Sequence, residues 1–326
     1  MNNGNQELTK LLAEARTIVN KVVENNMAEG ILFSAGTDTS IIAYEAVKFN
    51  PDLKAITVSF QQGKPKDTQY VKKMVEFLKL DHEFAVFNAE KAVSAAADVI
   101  KVLKTYDPMD VRNTLPAYVG MTVAKERGVK SLLTGDALDE LFGYPWQFHL
   151  SETEFAKALS DMWGEMTFSS IPMGKSIGIT IKPPYLDPLF MDFAKNLPVN
   201  VKVRVENGVK YGKWLLRKAY EGLIPDEVVW RGKAPLEQGT GTWVLPDYFE
   251  KEIKDDYFEE QKKLILDRDD VIITSKEQMV YYDIFRKEFG KPSDVFPGPD
   301  GRKCPNCKGY VKTNIGFCRN CGNYPI

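Results

Sequence analysis

The stretch Gly30-Ile-Leu-Phe-Ser-Ala-Gly-Thr-Asp-Thr-Ser40 decides the fold predicted for this chain. It reads as a short buried strand, then a tight loop of small residues, and then a helix entered through Asp38, Thr39 and Ser40. Such a turn directs a helix N-terminus and several backbone N–H groups toward one point, which suits an anion such as phosphate. By itself the stretch leaves a second interpretation open, a capped strand-to-helix turn that binds no ligand.

A second stretch, Lys130-Ser-Leu-Leu-Thr-Gly-Asp-Ala-Leu-Asp-Glu-Leu-Phe-Gly-Tyr144, repeats the order of strand, small-residue turn and helix. It carries three carboxylates, Asp136, Asp139 and Glu140. Around both turns, apolar strands alternate with helices, which is typical of a parallel sheet with right-handed crossovers. Ligands of such sheets lie beyond the carboxyl ends of strands where the strand order reverses. We therefore expect the two turns to form one site.

Together the two stretches resemble the asparagine synthetase family of ATP pyrophosphatases. The first is similar to that family's Ser-Gly-Gly-x-Asp-Ser loop, and the second to its Ser-Gly-Glu-Gly-Ala-Asp-Glu-Leu-Phe-Gly-Gly-Tyr segment. The resemblance covers roughly residues 10–250 and continues through Pro184-Tyr-Leu-Asp187, Lys213-Trp-Leu-Leu-Arg-Lys-Ala219 and Ile224-Pro-Asp-Glu-Val-Val-Trp-Arg-Gly-Lys233. We expect the synthetase half alone, because the family's glutamine-hydrolysing domain begins with a cysteine directly after the initiator Met and this sequence offers none there.

The resemblance implies an α/β fold of the adenine-nucleotide α-hydrolase-like type, a parallel sheet with helices on both faces. We expect one synthetase-like domain over residues 1–290, with the α/β core at about 1–150 and a mainly helical part at about 151–290. Residues 291–303 are rich in Pro and Gly and are predicted to be a linker. A small zinc ribbon is predicted for residues 304–326. Residues 163–186, with several Gly and Pro, are predicted to be irregular chain.

All four cysteines fall near the C-terminus, as Cys304-Pro-Asn-Cys307 and Cys318-Arg-Asn-Cys321. Two such pairs separated by ten residues predict a four-thiolate Zn²⁺ site. A segment this short cannot form a core without a metal or disulfides. A cytoplasmic setting, which we expect here, disfavours disulfides. An iron ion bound by the same four thiolates is an alternative.

Magnesium-bound ATP is the ligand that the two turns predict. Asp38 at a phosphate-binding turn would repel a nucleotide unless a cation lay between them. Asp139 could complete that cation site, since Mg²⁺ prefers one or two carboxylates plus phosphate oxygens. The resemblance implies the same two aspartates as magnesium ligands. The predicted nucleotide-binding residues are Ser34, Gly36, Asp38, Thr39, Ser40, Gly135 and Lys233, with adenine contacts from Val58, Ser59 and Phe60.

The resemblance also implies three catalytic residues. Lys213 would stabilise the charge that develops during ligation, which is a large catalytic effect. Asp136 stands where the family has a glutamate that activates the amine, and its side chain is one methylene shorter. Asp187 closes the Pro-Tyr-Leu-Asp motif.

Other positions depart from the family pattern. Ala35 replaces the second glycine of the first loop, and it would be strained if that position requires a positive φ. Thr180 and Lys182 stand where the family has Glu and Arg on the substrate side, so the acceptor acid is left open.

The sequence thus predicts an ATP-dependent ligase that adenylates a carboxylate, forming AMP and pyrophosphate, and transfers ammonia or an amine, most simply an asparagine synthetase-like enzyme. Its partners would be a small carboxylate and a nitrogen donor, and a homo-oligomer stays open. A tRNA-modifying ATP pyrophosphatase is the first alternative, because the chain from Arg302 onward has five basic residues and no acid, which could dock RNA or a protein. A non-catalytic nucleotide-binding module is the second.

The composition, 44% hydrophobic and 27% charged, is that of an ordinary globular protein. The sequence contains no apolar run of membrane-spanning length and no signal-peptide pattern, so we expect a cytoplasmic protein without membrane contact.

Overall fold

The computed structural model describes residues 3–296, 301–312 and 316–326, with side chains from residue 5 onward. Its centre is a five-stranded sheet. The strands in chain order are β1 (Gly30–Leu32), β2 (Lys54–Phe60), β3 (Asp81–Phe87), β4 (Ser131–Leu133) and β5 (Thr180–Lys182). They lie in the order β3-β2-β1-β4-β5, and β1 pairs in parallel with β2 and with β4, while β4 pairs in parallel with β5. The predicted α/β fold with a parallel sheet is confirmed.

The strand order places the two predicted turns side by side. The chain builds outward from β1 to β2 and β3 and then returns to the other side of β1 to add β4 and β5, so the order reverses between β1 and β4. In register, Gly30 lies opposite Leu132 and Ile31 opposite Leu133. The first turn leaves β1 and the second leaves β4, and both therefore begin at the switch point, where this class of sheet binds ligands.

Helices connect and cover these strands. In chain order they are α1 (Asn3–Asn25), α2 (Thr37–Ala46), α3 (Thr68–Leu78), α4 (Ala89–Leu103), α5 (Pro108–Glu126), α6 (Leu138–Phe142), α7 (Glu152–Glu165), α8 (Ser170–Ile177), α9 (Pro188–Asn196), α10 (Val199–Lys202), α11 (Trp214–Tyr220), α12 (Asp226–Val229), α13 (Leu236–Thr240), α14 (Leu245–Glu252), α15 (Asp255–Asp269), α16 (Lys276–Phe289) and α17 (Pro292–Val295). Helix α2 connects β1 to β2 and α8 lies between β4 and β5, so the general right-handedness of such crossovers implies that these two helices cover opposite faces.

Two antiparallel hairpins complete the secondary structure. They are β6 (Val203–Glu206) with β7 (Val209–Gly212), and β8 (Gly301–Lys303) with β9 (Tyr310–Lys312). None of the helices in the described part of the chain has the length and apolar content needed to cross a bilayer.

A buried carboxylate joins three helices in the core. Glu45 on α2 is 2% exposed. It accepts hydrogen bonds from the Asn20 amide at 2.6 Å and the Tyr220 hydroxyl at 2.9 Å, and it pairs with Lys48 at 2.7 Å. A buried charge is tolerated when it is hydrogen-bonded and paired in this way. Glu45 therefore fixes α1 and α11 against the helix that follows the first turn.

The prediction of irregular chain for residues 163–186 is wrong, because this segment contains the end of α7, all of α8 and the strand β5. Gly174 explains the misreading. A Cβ at this position would lie 2.5 Å from Cγ1 of Ile181 and 2.8 Å from the carbonyl oxygen of Ile179. The glycine permits α8 to pack closely on β5 and does not mark a turn.

The hairpin β6–β7 occupies the chain up to Gly212, and α11 begins at Trp214. Helix α15 has no sequence pattern that predicts it. Its sequence is charged on most sides, and Ile265 is its only buried apolar residue among those described, so it lacks the apolar stripe from which a helix is recognised.

The chain divides into two compact units. Unit 1 comprises Met1–Thr57, Lys66–Ala85 and Gly120–Pro235, and unit 2 comprises Val58–Pro65, Val86–Val119 and Leu236–Ile326. The domain boundaries taken from the sequence stay a prediction. The segment predicted as a linker contains α17 and β8, and residues 297–300 of it lie outside the described residues.

Within unit 1 the two turns touch at Gly135. A Cβ added there would lie 3.1 Å from Cβ of Asp38 and 3.2 Å from Cγ2 of Thr39. These distances are tighter than ordinary van der Waals contact, so a Cβ at this position would push the first and second turns apart by a few tenths of an ångström.

We therefore expect Gly135→Ala to lower the free energy of unfolding by about 1–3 kcal/mol, because the added methyl overpacks the contact between the turns. Urea denaturation measures this change. Gly164→Ala is the matched control: it adds the same methyl to α7 where no atom outside the local helix backbone lies within 4 Å, and it should be neutral or stabilising by up to about 1 kcal/mol. A Gly135→Ala midpoint equal to that of the unsubstituted chain would contradict the close approach.

Candidate functional site

One buried ammonium group joins the two turns. Nζ of Lys213 lies 2.6 Å from Oδ1 and 2.8 Å from Oδ2 of Asp38, on the first turn, and 2.8 Å from Oδ1 of Asp139, on the second. Lys213 is 4% exposed. Three residues that are far apart in the sequence thus form a compact arrangement of one cation between two carboxylates.

Lys233 extends this arrangement toward solvent. Its ammonium lies 2.5 Å from Oδ2 of Asp139, so that carboxylate faces two cations. Burial alone would raise the pKa of Asp139, but Lys213 and Lys233 outweigh this effect and lower the pKa to about 2. Asp139 therefore stays ionised throughout the physiological pH range and is suited to bind a cation.

Three residues of this region have a left-handed backbone although none is a glycine. They are Ala35 (φ +49°), Ala137 (φ +78°) and Lys213 (φ +57°). The sequence predicts strain at Ala35 if this position requires a positive φ. The backbone of Ala35 does have a positive φ, so the condition holds. Ala137 is a second alanine at a position where the family segment has glycine. Each such residue costs about 1–2 kcal/mol, and such strain is concentrated at functional sites.

The first turn is closed by its own side chains. The Ser34 amide donates to Oγ1 of Thr39 at 3.3 Å, the Gly36 amide donates to Oγ of Ser34 at 3.2 Å, and the two hydroxyl oxygens lie 3.2 Å apart. Among the described residues, the buried hydroxyl of Ser40 has no hydrogen-bond partner. Ser40 lies in the first turn of α2, and helix N-termini of this kind bind anions.

Arg231 supports the first turn from outside. It donates to the carbonyl oxygen of Ala35 at 3.0 Å, pairs with Asp67 and stacks 4.2 Å from the ring centroid of Tyr70. The Tyr185 hydroxyl, which is also buried, donates to the backbone oxygen of Asp38 at 3.0 Å. These contacts stabilise the strained conformation at Ala35.

Asp136 lies in the second turn with a different environment. One oxygen, Oδ2, accepts hydrogen bonds from the hydroxyls of Thr134 at 2.7 Å and of Ser170 at 2.5 Å. Burial raises the pKa of Asp136, and the two hydroxyl bonds oppose that rise without cancelling it. A carboxylate with a raised pKa is suited to proton transfer.

Asp187 has the contacts of a helix cap. It is the N-cap of α9, it accepts from the Leu189 amide at 3.0 Å, and its other oxygen accepts from the Asn26 amide group at 2.9 Å. Its described contacts do not join it to Asp38, Asp139 or Lys213. The catalytic function predicted for Asp187 stays a prediction.

The residues predicted to contact adenine form the end of β2, the neighbour of β1 in the sheet. Val58 and Ser59 are partly exposed, whereas Phe60 is buried and packs edge-on against Phe87 with ring centroids 5.2 Å apart. Their contact with a nucleotide stays a prediction.

The four cysteines form a second candidate site, in unit 2. All four are buried and unpaired by disulfides, and their sulfur atoms lie within 4.8 Å of one another. Cys304 and Cys307 follow β8, and Cys318 and Cys321 form the second pair. A compact cluster of four thiol sulfurs is the ligand set of a structural zinc site.

The second cysteine pair is bonded into the helical part of unit 2. The Tyr106 amide donates to the Asn320 carbonyl at 2.8 Å, the Thr105 hydroxyl donates to the Arg319 carbonyl at 2.7 Å, and the Gln278 side chain donates to the Cys321 carbonyl at 2.8 Å. The cysteine ribbon is thus attached to the corner between α4 and α5 and to α16.

Sequence reasoning did not find several residues that support the site. Tyr185, Asp67 and Tyr70 act through backbone or side-chain contacts with residues far away in the sequence, and Ser170 reaches Asp136 across 34 positions. Tyr185 alone carried a signal, because it lies inside the Pro-Tyr-Leu-Asp motif.

Comparison with known proteins agrees with the resemblance noted in the sequence. Residues 8–170 and 172–303 match the family model described as asparagine synthase. The chain is 27% identical over 308 residues to the probable asparagine synthetase (glutamine-hydrolyzing) of Dictyostelium discoideum, covering 83% of this chain and 52% of that protein. It is 27% identical over 305 residues to asparagine synthetase B (glutamine-hydrolyzing) of Escherichia coli strain K12, covering 86% of this chain and 54% of that protein.

The chain therefore spans about half the length of these curated relatives. Among solved structures it is similar to the NMN synthetase of Francisella tularensis, with 15% identity and a TM-score of 0.37 over 86% of this chain and 94% of that one. The family match leaves only the N-terminal seven residues, Ile171 and the cysteine ribbon outside it. This chain belongs to the asparagine synthase family.

Proposed function

We propose that this chain binds magnesium-ATP at the two turns, uses it to adenylate a small carboxylate, and transfers ammonia or an amine to the activated acyl group. The observation that carries the proposal is the placement of Asp38 and Asp139 around one cationic group. Two carboxylates from separate strands would repel each other unless a cation lay between them. Lys213 is that cation in the structure, and a carboxylate pair at the switch point of a parallel sheet is also suited to bind Mg²⁺ beside phosphate.

The residues of the two turns fit the nucleotide and its metal. Asp38 and Asp139 would hold Mg²⁺, which prefers one or two carboxylate ligands together with phosphate oxygens. The unpartnered hydroxyl of Ser40 and the amides of the first turn of α2 would face the phosphates. When bound, the metal supplies positive charge that offsets the charge of the triphosphate.

The chain's own cations support the first chemical step. In that step an oxygen of the substrate carboxylate attacks the α-phosphorus, the bond from the α-phosphorus to the bridging oxygen breaks, and pyrophosphate leaves. Negative charge grows on the pyrophosphate as that bond breaks. Lys213 and Lys233 lie beside Asp139 and would stabilise this charge, which is the kind of preorganised electrostatic effect that lowers barriers most.

In the second step the nitrogen of ammonia or an amine attacks the acyl carbon, the carbon–oxygen bond to AMP breaks, and the nitrogen loses a proton. Asp136 is the proposed proton acceptor, because burial raises its pKa and its hydrogen bonds to Thr134 and Ser170 fix its orientation. Aspartate is the first acceptor to test. Lys182 stands where the family has an arginine, and it lies opposite Leu133, just before the second turn. Because this difference is on the substrate side, other acids should be tested together with aspartate.

The cysteine cluster would hold Zn²⁺ as a structural metal. Four thiolates at this spacing leave no open coordination position for chemistry. The cytoplasmic setting expected from the sequence forms part of this proposal, because thiols remain reduced there. Docking of tRNA on the ribbon also stays a prediction, and nothing in the part of the chain that the structure describes favours it over the ligase.

The reaction itself can be tested with ATP, magnesium, ammonia and a panel of amino acids and other small carboxylates. We expect AMP and pyrophosphate to appear in equal amounts and only with a particular acid, because adenylation of that acid is what cleaves ATP. Chromatography of the nucleotides and a pyrophosphate assay measure both products. If ADP were the sole product, the adenylation step would be excluded.

We expect Asp38→Asn to slow pyrophosphate release at least about a hundredfold, because the amide removes one of the two charges that hold the cation. Asp81→Asn is the matched control. Asp81 pairs with Arg127 on the surface of unit 1, and its removal should change the rate less than twofold. Equal rates in the two variants would argue against a magnesium site at the turns.

Removal of zinc with a chelator should loosen the corner between α4 and α5, because the Tyr106 amide is bonded to Asn320 in the second cysteine pair. Hydrogen exchange of the Tyr106 amide should accelerate at least about tenfold. The amide of Phe33, which is bonded to Ile56 inside unit 1, serves as the internal control and should be unchanged. Unchanged exchange at Tyr106 after complete metal removal would show that the ribbon does not depend on the metal.

A further inference from the structure

Lys202 is a buried cation outside the site described above. It is the last residue of α10 and is 1% exposed. Among the described residues it forms no ion pair with a carboxylate, and burial lowers the pKa of its ammonium to about 8. A buried charge without a counter-charge is costly, so its contacts must offset that cost.

Those contacts are at the C-terminal end of α6. The ammonium of Lys202 donates to the carbonyl oxygen of Leu141 at 3.2 Å, and the indole Nε1 of Trp163 donates to the carbonyl oxygen of Glu140 at 3.0 Å. The last four carbonyl groups of a helix have no partner within it. Two side chains from distant elements therefore satisfy the end of this short helix.

The two capping side chains also hold each other. Nζ of Lys202 lies 4.9 Å from the ring centroid of Trp163, within the range of a cation–π interaction. A cation at a helix C-terminus is additionally favoured by the partial negative charge of the carbonyl end. The ammonium thus interacts with an aromatic face and a helix end in place of a carboxylate.

Helix α6 has five residues and carries Asp139 in its first turn. A helix this short is not stable by itself, so its position depends on the contacts that hold its ends. At its N-terminal side the backbone of Ala137 is in the left-handed region. At its C-terminal side the cap is supplied by Lys202 and Trp163. We infer that Lys202 is a positioning residue: it fixes α6 and thereby the carboxylate of Asp139 at the candidate nucleotide site. The effect on ATP rests on the proposed function, whereas the effect on α6 does not.

The test is Lys202→Met, which keeps an unbranched side chain one atom shorter and removes the charge and the hydrogen bond. We expect the dissociation constant for magnesium-ATP, measured by calorimetry, to rise about tenfold, the effect of one hydrogen bond from a charged donor. We expect the exchange of the Gly143 amide, which is bonded to the carbonyl of Asp139, to accelerate to a similar degree. The thermal unfolding midpoint should stay or rise, because a buried charge has been removed.

Lys195→Met is the matched control. The ammonium of Lys195 lies 5.6 Å from the centroid of the same Trp163 ring. Among the described contacts, it forms no hydrogen bond with a carbonyl of α6. We expect this variant to leave both ATP affinity and Gly143 exchange unchanged. Trp163→Phe, which keeps a ring but loses the indole donor, should reproduce part of the Lys202→Met effect on Gly143.

Two outcomes overturn the inference. One is a Lys202→Met protein with unaltered exchange at Gly143. The other is a fall in the unfolding midpoint with faster exchange throughout unit 1, which would make Lys202 an ordinary structural residue. If the unsubstituted chain bound no ATP, that result would contradict the proposed function. The exchange at Gly143 would still show whether Lys202 holds α6 in position.

Discussion

The contact of one ammonium group with two carboxylates is the interaction on which the rest of this structure depends. The sheet brings the ends of β1 and β4 together, and with them the carboxylates of Asp38 and Asp139. Two negative charges 4 Å apart repel each other by about 4 kcal/mol in a medium of effective dielectric 20. Lys213 reverses the sign of that interaction. The same cation thereby holds the turns at the switch point, and together with Lys233 it lowers the pKa of Asp139, so that this carboxylate stays ionised.

The backbone around this contact is in energetically unfavourable conformations, and contacts with the surrounding fold stabilise those conformations. Ala35, Ala137 and Lys213 have left-handed conformations that favour glycine, whereas Gly135 has no left-handed φ and instead permits a close contact between the two turns. Such strain persists only where other contacts fix the chain. Arg231 and the buried core around Glu45 provide those contacts on the side of the first turn. On the side of the second turn, the end of α6 is held by hydrogen bonds from side chains of distant elements.

The cysteine ribbon has a different relation to its surroundings. It begins where the family match ends, after residue 303, and it is bonded to the helical part of unit 2 through backbone carbonyls of Arg319, Asn320 and Cys321. Contacts of this kind depend on the conformation of the chain between the cysteines and less on its side chains. A metal that fixes this conformation would therefore stabilise the helices to which the ribbon is bonded, whichever residues the ribbon presents on its surface.

The sequence by itself determined the parallel α/β sheet, the two turns at strand ends and the clustering of the four cysteines, because each follows from a local pattern of apolar, small or ligand residues. It did not determine the contacts that assemble the site. Lys213 is 175 positions from Asp38, Ser170 reaches Asp136 from a segment that resembled a loop, and Asp187, which the motif suggested as catalytic, caps α9. Only the tertiary structure could decide these points, because side chains distant in sequence meet through packing that no local pattern encodes.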